Sequence, residues 1–543
     1  MRNLSKVVVA TGAALALTLT GAAAEAAPNK PTAKPTKVVT IVVDALSREI
    51  VETFDMKNVK ALMDKGVDTP KGSLGHLGSV TVVTHNVITT GLLPKHMGWT
   101  DDGWRDTQGL LPGAAANPFW IPSDWSKDQM FTVQNSIGKR RLPDYLHAAN
   151  PGSKVIAISP KGYAAYAYGG PTADSIITFG STTTCNGVRA WRGPAGVNVP
   201  SYIATPCGRY FVHHSSLLTY DTSAYPASLY PLDGDRYTTG KDDEHLGGDI
   251  WATDIALDVM DHENWSGIFL TLPGVDKSAH MWGGVDDTGG ADPMTHLAFA
   301  AKTADEQVGR VMAKLRASGE LDNTIVVLTA DHGSVPGRNF HGTASTDLGY
   351  GYYNWYYGAT NNGTYLQPPA ALEPLVASGN VGVSYSDSML RAWLKDQSPA
   401  KVAEEVAAYQ GMPGVTAVWI RNGDHYDMVG KPNNAAMTNP GEMSWFKRNA
   451  QQLVDTEAAA YGPDVIATLA DDTTYSILGD HGGIQRRSQQ IPIVFAGAGT
   501  SAKDLQADVR SVDIMPTVLR AMGITPDAGL DGIGYDLIPG NAR

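Results

Sequence analysis

The stretch Thr324-Ile325-Val326-Val327-Leu328-Thr329-Ala330-Asp331-His332-Gly333 decides how this chain is read. Residues 324–328 are apolar or β-branched with no polar alternation, the pattern of a strand covered on both faces. The run stops at Asp-His-Gly, which sets a carboxylate and an imidazole at the strand's C-terminal end. A second such turn, Leu478-Gly479-Asp480-His481-Gly482, follows the run 473–478, which reads as another buried strand. Asp276 and His280, in Gly274-Val275-Asp276-Lys277-Ser278-Ala279-His280, follow the run 268–272. Asp44 ends the run 38–43. In an open α/β sheet, ligands bind beyond the C-terminal ends of the strands. Oxygen and nitrogen donors gathered there suit zinc, and this many donors suit two ions.

Working outward, strands alternate with helical patterns. Residues 56–65, 82–90, 142–149, 248–260, 294–318 and 514–522 read as helices, and 154–158, 266–272 and 491–495 as strands. Within 294–318, Val308, Val311, Met312 and Leu315 recur at helical spacing. Repeated β-α-β units predict an α/β fold, a mostly parallel central sheet with helices on both faces. Residues 100–138 and 181–243, rich in Gly, Pro, Trp and Tyr, read as loops decorating the active edge. Residues 340–439 read as a small αβ insertion with a strand at 381–385, a helix at 399–409 and a strand at 415–420. The expected catalytic domain is therefore 38–339 together with 440–543. The two Asp-His-Gly turns sit in unlike contexts and mark no internal repeat.

At the N-terminus, Arg2 and Lys6 precede an apolar stretch, 7–21, and Ala24-Glu25-Ala26 offers a cleavage pattern. This predicts a signal peptide over 1–26, then a disordered Pro- and Lys-rich leader over 27–37. A single early arginine argues against twin-arginine export, and no cysteine near the cut supports a lipid anchor. No later apolar run is long enough to span a bilayer, so the expectation is a secreted protein with no membrane span. The net charge of −13 disfavours binding of duplex nucleic acid, which needs a basic face. With 43% apolar and 18% charged residues, the chain falls among folded rather than disordered proteins. Cys185 and Cys207 are its two cysteines. In an exported chain an even count predicts a disulfide, worth about 3 kcal/mol for a loop of this size; the alternative is that both bind zinc.

The candidate nucleophile is Thr81. It follows a Gly/Ser-rich turn, 75–80, and opens the pattern Thr81-Val82-Val83-Thr84-His85-Asn86. A helix start favours an anion through its free N–H groups and dipole. Coordination to a dication makes a threonine hydroxyl nucleophilic. The competing reading makes Thr81 an N-cap.

With these residues in place, the chain resembles the alkaline phosphatase superfamily, its type I phosphodiesterase/nucleotide pyrophosphatase branch. The resemblance runs in order through Asp44, Thr81 to Thr90-Gly91-Leu92-Leu93-Pro94-Lys95-His96-Met97-Gly98, Asp276 with His280, Leu321-Asp322-Asn323-Thr324 and Asp331-His332-Gly333. It continues to His481-Gly482-Gly483, Ile491-Pro492-Ile493-Val494-Phe495 and Asp513-Ile514-Met515-Pro516-Thr517. It implies a small-molecule phosphoric ester substrate and two Zn2+ ions. One ion would be held by Asp276, His280 and His481, the other by Asp44, Asp331, His332 and the Thr81 oxygen. It also implies a covalent phospho-threonine intermediate. His341, close after the first Asp-His-Gly, rivals His481 as third ligand.

Two departures bear on the substrate. The branch places an asparagine after the threonine to donate to a phosphate oxygen. Here the nearby polar residues are Thr84, which is expected to bind substrate together with Lys161 and Tyr163, and Asn86, and neither is a clear match for that asparagine. Ser159-Pro160-Lys161-Gly162-Tyr163 resembles the phosphate clamp of threonine-dependent alkaline phosphatases, where lysine and arginine stand two apart. Lys161 is kept and Tyr163 stands for the arginine. Loss of a bidentate guanidinium weakens recognition of a dianionic monoester. A phosphodiester or nucleotide pyrophosphate substrate is therefore expected, with a phosphomonoesterase as the alternative. An inert ligand-binding relative is the alternative of another class. A sulfatase is disfavoured because no Cys/Ser-x-Pro-x-Arg motif stands at the helix start. A phosphoglycerate mutase is disfavoured by export and by the threonine. The aromatic clusters Trp99, Trp104, Trp120 and Trp125, and Tyr350 to Tyr356, either stack on a substrate or pack the loops.

Overall fold

A computed structural model describes residues 34–185, 188–204, 211–212, 246–285, 293–341, 356–360, 363–365, 377–475 and 479–538. The elements that build the site are strand β1 (Lys37–Val43), helix α1 (Thr81–Thr90), strand β2 (Lys154–Ile158), helix α2 (Gly162–Gly169), strand β3 (Trp265–Leu272), helix α3 (Gly274–Trp282) and strand β4 (Thr324–Thr329). Strands β5 (Met389–Leu394) and β6 (Ile493–Gly497) follow.

The central sheet has β1 in the middle, paired in parallel with β4 on one side and β3 on the other. Ile41 stands opposite Leu328 and Leu270. Strand β2 continues the parallel run beside β3, followed by Ser175–Cys185. Every residue of β3 and β4 is buried, which is why their sequences carry no polar alternation. Helices Leu246–His262 and Pro293–Ala317 supply Trp251, Ile255, Val308, Val311 and Leu315 to the same core. The fold is the mostly parallel α/β sheet that the alternation predicts.

Strand β6 runs antiparallel to β4, within the mostly parallel sheet expected. Several expectations are corrected. The run 473–478 is not one buried strand of the central sheet. Thr473–Thr474 pairs with Asn339–Phe340, Gly479–Asp480 pairs with Val335–Pro336, and 476–478 lie outside the described residues. Each is a two-residue bridge in a turn, too short to show a period. The stretch 100–138 is not all loop: helix Lys127–Ser136 starts at a capping box in which Ser126 and Gln129 satisfy each other's backbone N–H groups. Within 181–243, Ser175–Cys185 pairs antiparallel with Val188–Val197, so its first part is a hairpin.

A second sheet holds seven described strands, among them Val381–Ser386, β5 and Val415–Asn422. Its strand Val465–Leu469 lies between β5 and Val415–Asn422, so residues 340–439 do not close this sheet by themselves. Residues 1–33, on which the signal peptide and most of the leader fall, lie outside the described residues, as does the Cys185–Cys207 pairing. No described helix is long and apolar enough to cross a membrane.

Candidate metal centre and active site

Because β1, β3 and β4 are parallel neighbours, whatever follows them meets at one edge. Asp44 follows β1, and its amide donates to the Leu272 carbonyl at the end of β3 (3.0 Å). Ala45, next in the chain, has φ of 63°, a left-handed conformation that a residue with a Cβ adopts only at a cost. Its N–H donates to Asp331 Oδ1 (3.3 Å). The strained turn thus ties the acid after β1 to the acid after β4.

Both Asp-His-Gly turns follow one local logic. Asp331 Oδ1 accepts from the His332 N–H (3.1 Å), and Asp480 Oδ1 from the His481 N–H (2.9 Å). A Cβ on Gly333 would lie 1.9 Å from the Arg487 carbonyl oxygen. Gly482 has φ of +86° and faces the Asp387 carboxylate. Each histidine is oriented by a carbonyl: His332 Nδ1 by Gly333 (3.0 Å), His481 Nδ1 by Ser79 (3.0 Å) and His280 Nδ1 by Gly479 (2.7 Å). A carbonyl only accepts, so each Nδ1 carries the proton and each Nε2 keeps its lone pair.

Those lone pairs converge on carboxylates. His280 Nε2 is 3.1 Å from Asp276 Oδ1, and His481 Nε2 3.8 Å from the same atom. His332 Nε2 is 3.2 Å from Asp44 Oδ1 and 3.7 Å from Asp331 Oδ2. The rings of His332 and His481 stack with centroids 3.6 Å apart. Two groups have the compactness of a metal site, Asp276 with His280 and His481, and Asp44 with Asp276 and His332. All of these side chains are buried. Asp44 Oδ1 and Asp331 Oδ2 have no hydrogen-bond partner, an arrangement costly enough that a cation is the natural occupant.

Lys161, just before α2, spans both groups: its Nζ lies 2.5 Å from Asp44 Oδ2 and 2.6 Å from Asp276 Oδ2. One ammonium cannot neutralise three buried carboxylates. Burial, then repulsion from Asp276 and Asp331, raises the Asp44 pKa well above the ordinary value. Burial brings Asp331 to about 6 against the pull of Lys161. Burial opposes ionisation of Asp276 too, but the charges of a protonated His280 and of Lys161 hold its carboxyl well below the ordinary value. Burial lowers His280, His332 and His481, leaving them neutral, as ligands must be. Removing Lys161 leaves two acids facing each other. Lys161→Met is therefore expected to lower the melting temperature of chelator-treated protein, and added zinc to restore most of the loss; calorimetry with and without zinc reads both.

Thr81 is the first residue of α1, and its Oγ1 lies 3.5 Å from His332 Nε2. A cavity of about 200 Å³ opens on it, walled by Asp102, Ser123, Lys161, Tyr163, Lys277 and Tyr385 among others. Thr84 does not line this cavity. It is buried one turn along α1, and its hydroxyl meets His76 Nε2 (3.4 Å). Asn86 points away as well, accepting from Arg141. His85 is structural, bound to the Thr81 carbonyl and the Thr271 hydroxyl (both 2.8 Å). His341 is exposed, stacks on Tyr475, and belongs to neither ligand group. Trp99 and Trp104 each pack edge to face against Trp125 and fill the loop core.

Asp102 is the wall residue that sequence reasoning missed. It is 6% exposed and accepts from the Ser123 N–H and hydroxyl, both at 2.8 Å. Burial, outweighing those hydrogen bonds, brings its pKa to about 7. An acid with a raised folded-state pKa binds its proton more tightly when folded. Stability therefore falls as pH rises from about 4 to about 7 and stays reduced above that. Asp102→Asn removes this cost. It is expected to stabilise the fold at pH 8 by about 2–4 kcal/mol and to change little at pH 4; melting temperatures at the two pH values check it.

An α/β sheet whose C-terminal edge gathers carboxylates and imidazoles around a hydroxyl at a helix start defines a phosphoric ester hydrolase of the alkaline phosphatase superfamily. The chain belongs to the type I phosphodiesterase / nucleotide pyrophosphatase family, whose pattern matches residues 38–483. It is 22% identical to alkaline phosphatase PhoD of Zymomonas mobilis over 548 aligned positions, covering 93% of this chain and 88% of that one. Alkaline phosphatase PhoK of a Sphingomonas species is 27% identical over 156 positions, 27% of each chain. Among solved structures, a substituted variant of alkaline phosphatase PafA superposes with a TM-score of 0.61 at 13% identity, over 94% of this chain and 99% of that one. An inactive murine ectonucleotide pyrophosphatase / phosphodiesterase 5 in complex with AMP superposes with a TM-score of 0.51 at 11% identity, over 92% and 97%.

Proposed function

We propose that this chain is an exported two-zinc phosphodiesterase that works through a covalent phospho-Thr81 intermediate. The observation that carries this reading is the convergence of Asp44, Asp276, His280, Asp331, His332 and His481 beside the Thr81 hydroxyl. The donor set fits zinc: three imidazole Nε2 lone pairs with tautomers fixed by carbonyls, and buried carboxylate oxygens without hydrogen bonds. Asp276, His280 and His481 would hold one ion, and Asp44, Asp331, His332 and Thr81 the other. When bound, the ions supply positive charge that acidifies a hydroxyl and steadies a leaving oxygen.

The side chains do the rest. Thr81 Oγ, held at the start of α1, forms a bond to phosphorus as the ester P–O bond breaks and the alcohol departs. Water then cleaves the phospho-threonine and restores the hydroxyl. Lys161 offers its ammonium to the transferring phosphoryl group, and Tyr163 lines the outer pocket. The substituted positions in the PafA variant are a threonine, an asparagine 21 residues later, and a lysine and an arginine two apart. The same spacings reach Asp102 from Thr81 and Tyr163 from Lys161. The guanidinium, which favours a doubly charged phosphate, is thus replaced by a phenol, and the asparagine position holds an acid; both changes favour a diester. The monoesterase reading rests on Lys161 and on the phosphatase names of the relatives.

Metal analysis, and acid quench during turnover of bis(p-nitrophenyl) phosphate followed by peptide mass spectrometry, test the proposal. Two zinc ions per chain and a p-nitrophenyl phosphoryl group on the Thr81 peptide are expected. That adduct on another residue, or none under burst conditions, overturns it.

A further inference from the structure

The acid on the pocket wall has a consequence that the metal ligands do not explain. Asp102 faces the same cavity as Thr81, Lys161 and Tyr163. Among the described residues no cation pairs with it; its two oxygens are held by the Ser123 N–H and hydroxyl. Lys161 and Lys277 are the described cations on the same wall, and Lys161 lies against Asp44 and Asp276 rather than Asp102. Nor can the carboxyl swing away. Its own N–H donates to Asp101 Oδ1 (2.7 Å), and Asp101 is gripped by Arg391 Nε (2.6 Å) and Nη2 (2.7 Å). Asp101 and Arg391 are both fully buried. The loop is thus anchored to the second sheet, and the carboxylate keeps one position.

We propose that Asp102 is a specificity-determining residue that bars a second negative charge on the bound phosphoryl group, so that the pocket takes singly charged phosphodiesters and rejects doubly charged monoesters. The inference deepens the reading of this site as a phosphodiesterase and rests on it. Its physical basis is like-charge repulsion in a buried pocket, where screening by water is weak. Burial brings this acid to about 7, so it is charged at the mildly alkaline pH at which a monoester is a dianion. Asp124, exposed at the cavity rim, adds to the same field.

The test compares wild type, Asp102→Asn and Asp102→Glu, each loaded with zinc and checked for its melting transition. The kcat/KM ratio of p-nitrophenyl phosphate to bis(p-nitrophenyl) phosphate at pH 8.5 is expected to rise about tenfold or more in Asp102→Asn and to stay near the wild-type value in Asp102→Glu. Inorganic phosphate, a dianion at that pH, is expected to bind Asp102→Asn about tenfold more tightly by calorimetry. An unchanged ratio with unchanged phosphate affinity overturns the proposal. So does an equal rise in the glutamate variant, which would point to altered packing rather than charge. If the wild type hydrolyses neither ester, the phosphodiesterase reading fails, and the phosphate titration still decides for or against the charge barrier.

Discussion

Thr81→Ala lowers kcat/KM for bis(p-nitrophenyl) phosphate by about 10³-fold or more, equivalent to about 4 kcal/mol of lost transition-state stabilisation, while the protein still binds zinc. The effect is large because the substitution removes the atom that bonds to phosphorus in the proposed route. It is selective because six side chains remain to hold metal. Thr81 is 5% exposed and opens a helix whose N-cap, Val80, makes no side-chain cap, so alanine at this position leaves α1 intact. Steady-state kinetics and metal content measured on one preparation decide the point. Loss of metal together with activity would make Thr81 chiefly a ligand; retained activity would place the nucleophile elsewhere.

Arg391→Ala is expected to destabilise the fold by about 3–5 kcal/mol, seen as a fall in melting temperature on the order of 5 °C. Arg391 is fully buried on β5 and bonds two acids at once, Asp101 (2.6 and 2.7 Å) and Asp387 (2.6 and 2.9 Å). Burying three charges gains little by itself, because desolvation offsets most of the Coulomb attraction. Removing the one cation is different: it strands two carboxylates away from water. Glu457 adds to the imbalance; burial and the Asp101 charge raise its pKa well above the ordinary value. The exposed pair Arg140–Asp527 has nearly the same length, 2.6 Å, yet water screens it, and Arg140→Ala is expected to leave the melting temperature unchanged. Equal effects from both substitutions would refute the argument.

What could be read in advance follows from how each element declares itself. The acids after β1, β3 and β4 were legible because a covered strand is an unbroken apolar run, and its end is a change of chemistry. His481 was placed beside Asp276 and His280 for a partly mistaken reason: its turn belongs to a two-residue bridge beside Val335–Pro336 rather than to the central sheet. Helix Lys127–Ser136 left a signal in Ser126 and Gln129 that the surrounding Gly and Pro obscured. Asp102 left none. It sits in an irregular loop, and its importance comes from Ser123, Asp101 and Arg391, 290 residues beyond Asp101. Thr84 was misplaced because helical spacing from Thr81 does not say which neighbour takes the hydroxyl; His76 does. The direction of β6 was hidden because an apolar run carries no polarity of pairing.

The ring of His481 hangs on the carbonyl of Ser79, two residues before the proposed attacking hydroxyl and 402 positions away along the chain. Asp44 and Thr81 are therefore made early, the ligands at 276–332 midway, and His481 near the end. A polypeptide emerging from the ribosome carries Thr81 without His481 for most of its synthesis. Contacts of such long range also form slowly. The catalyst is thus inert by construction wherever the chain is still unfolded, and its chemistry begins only where folding is completed.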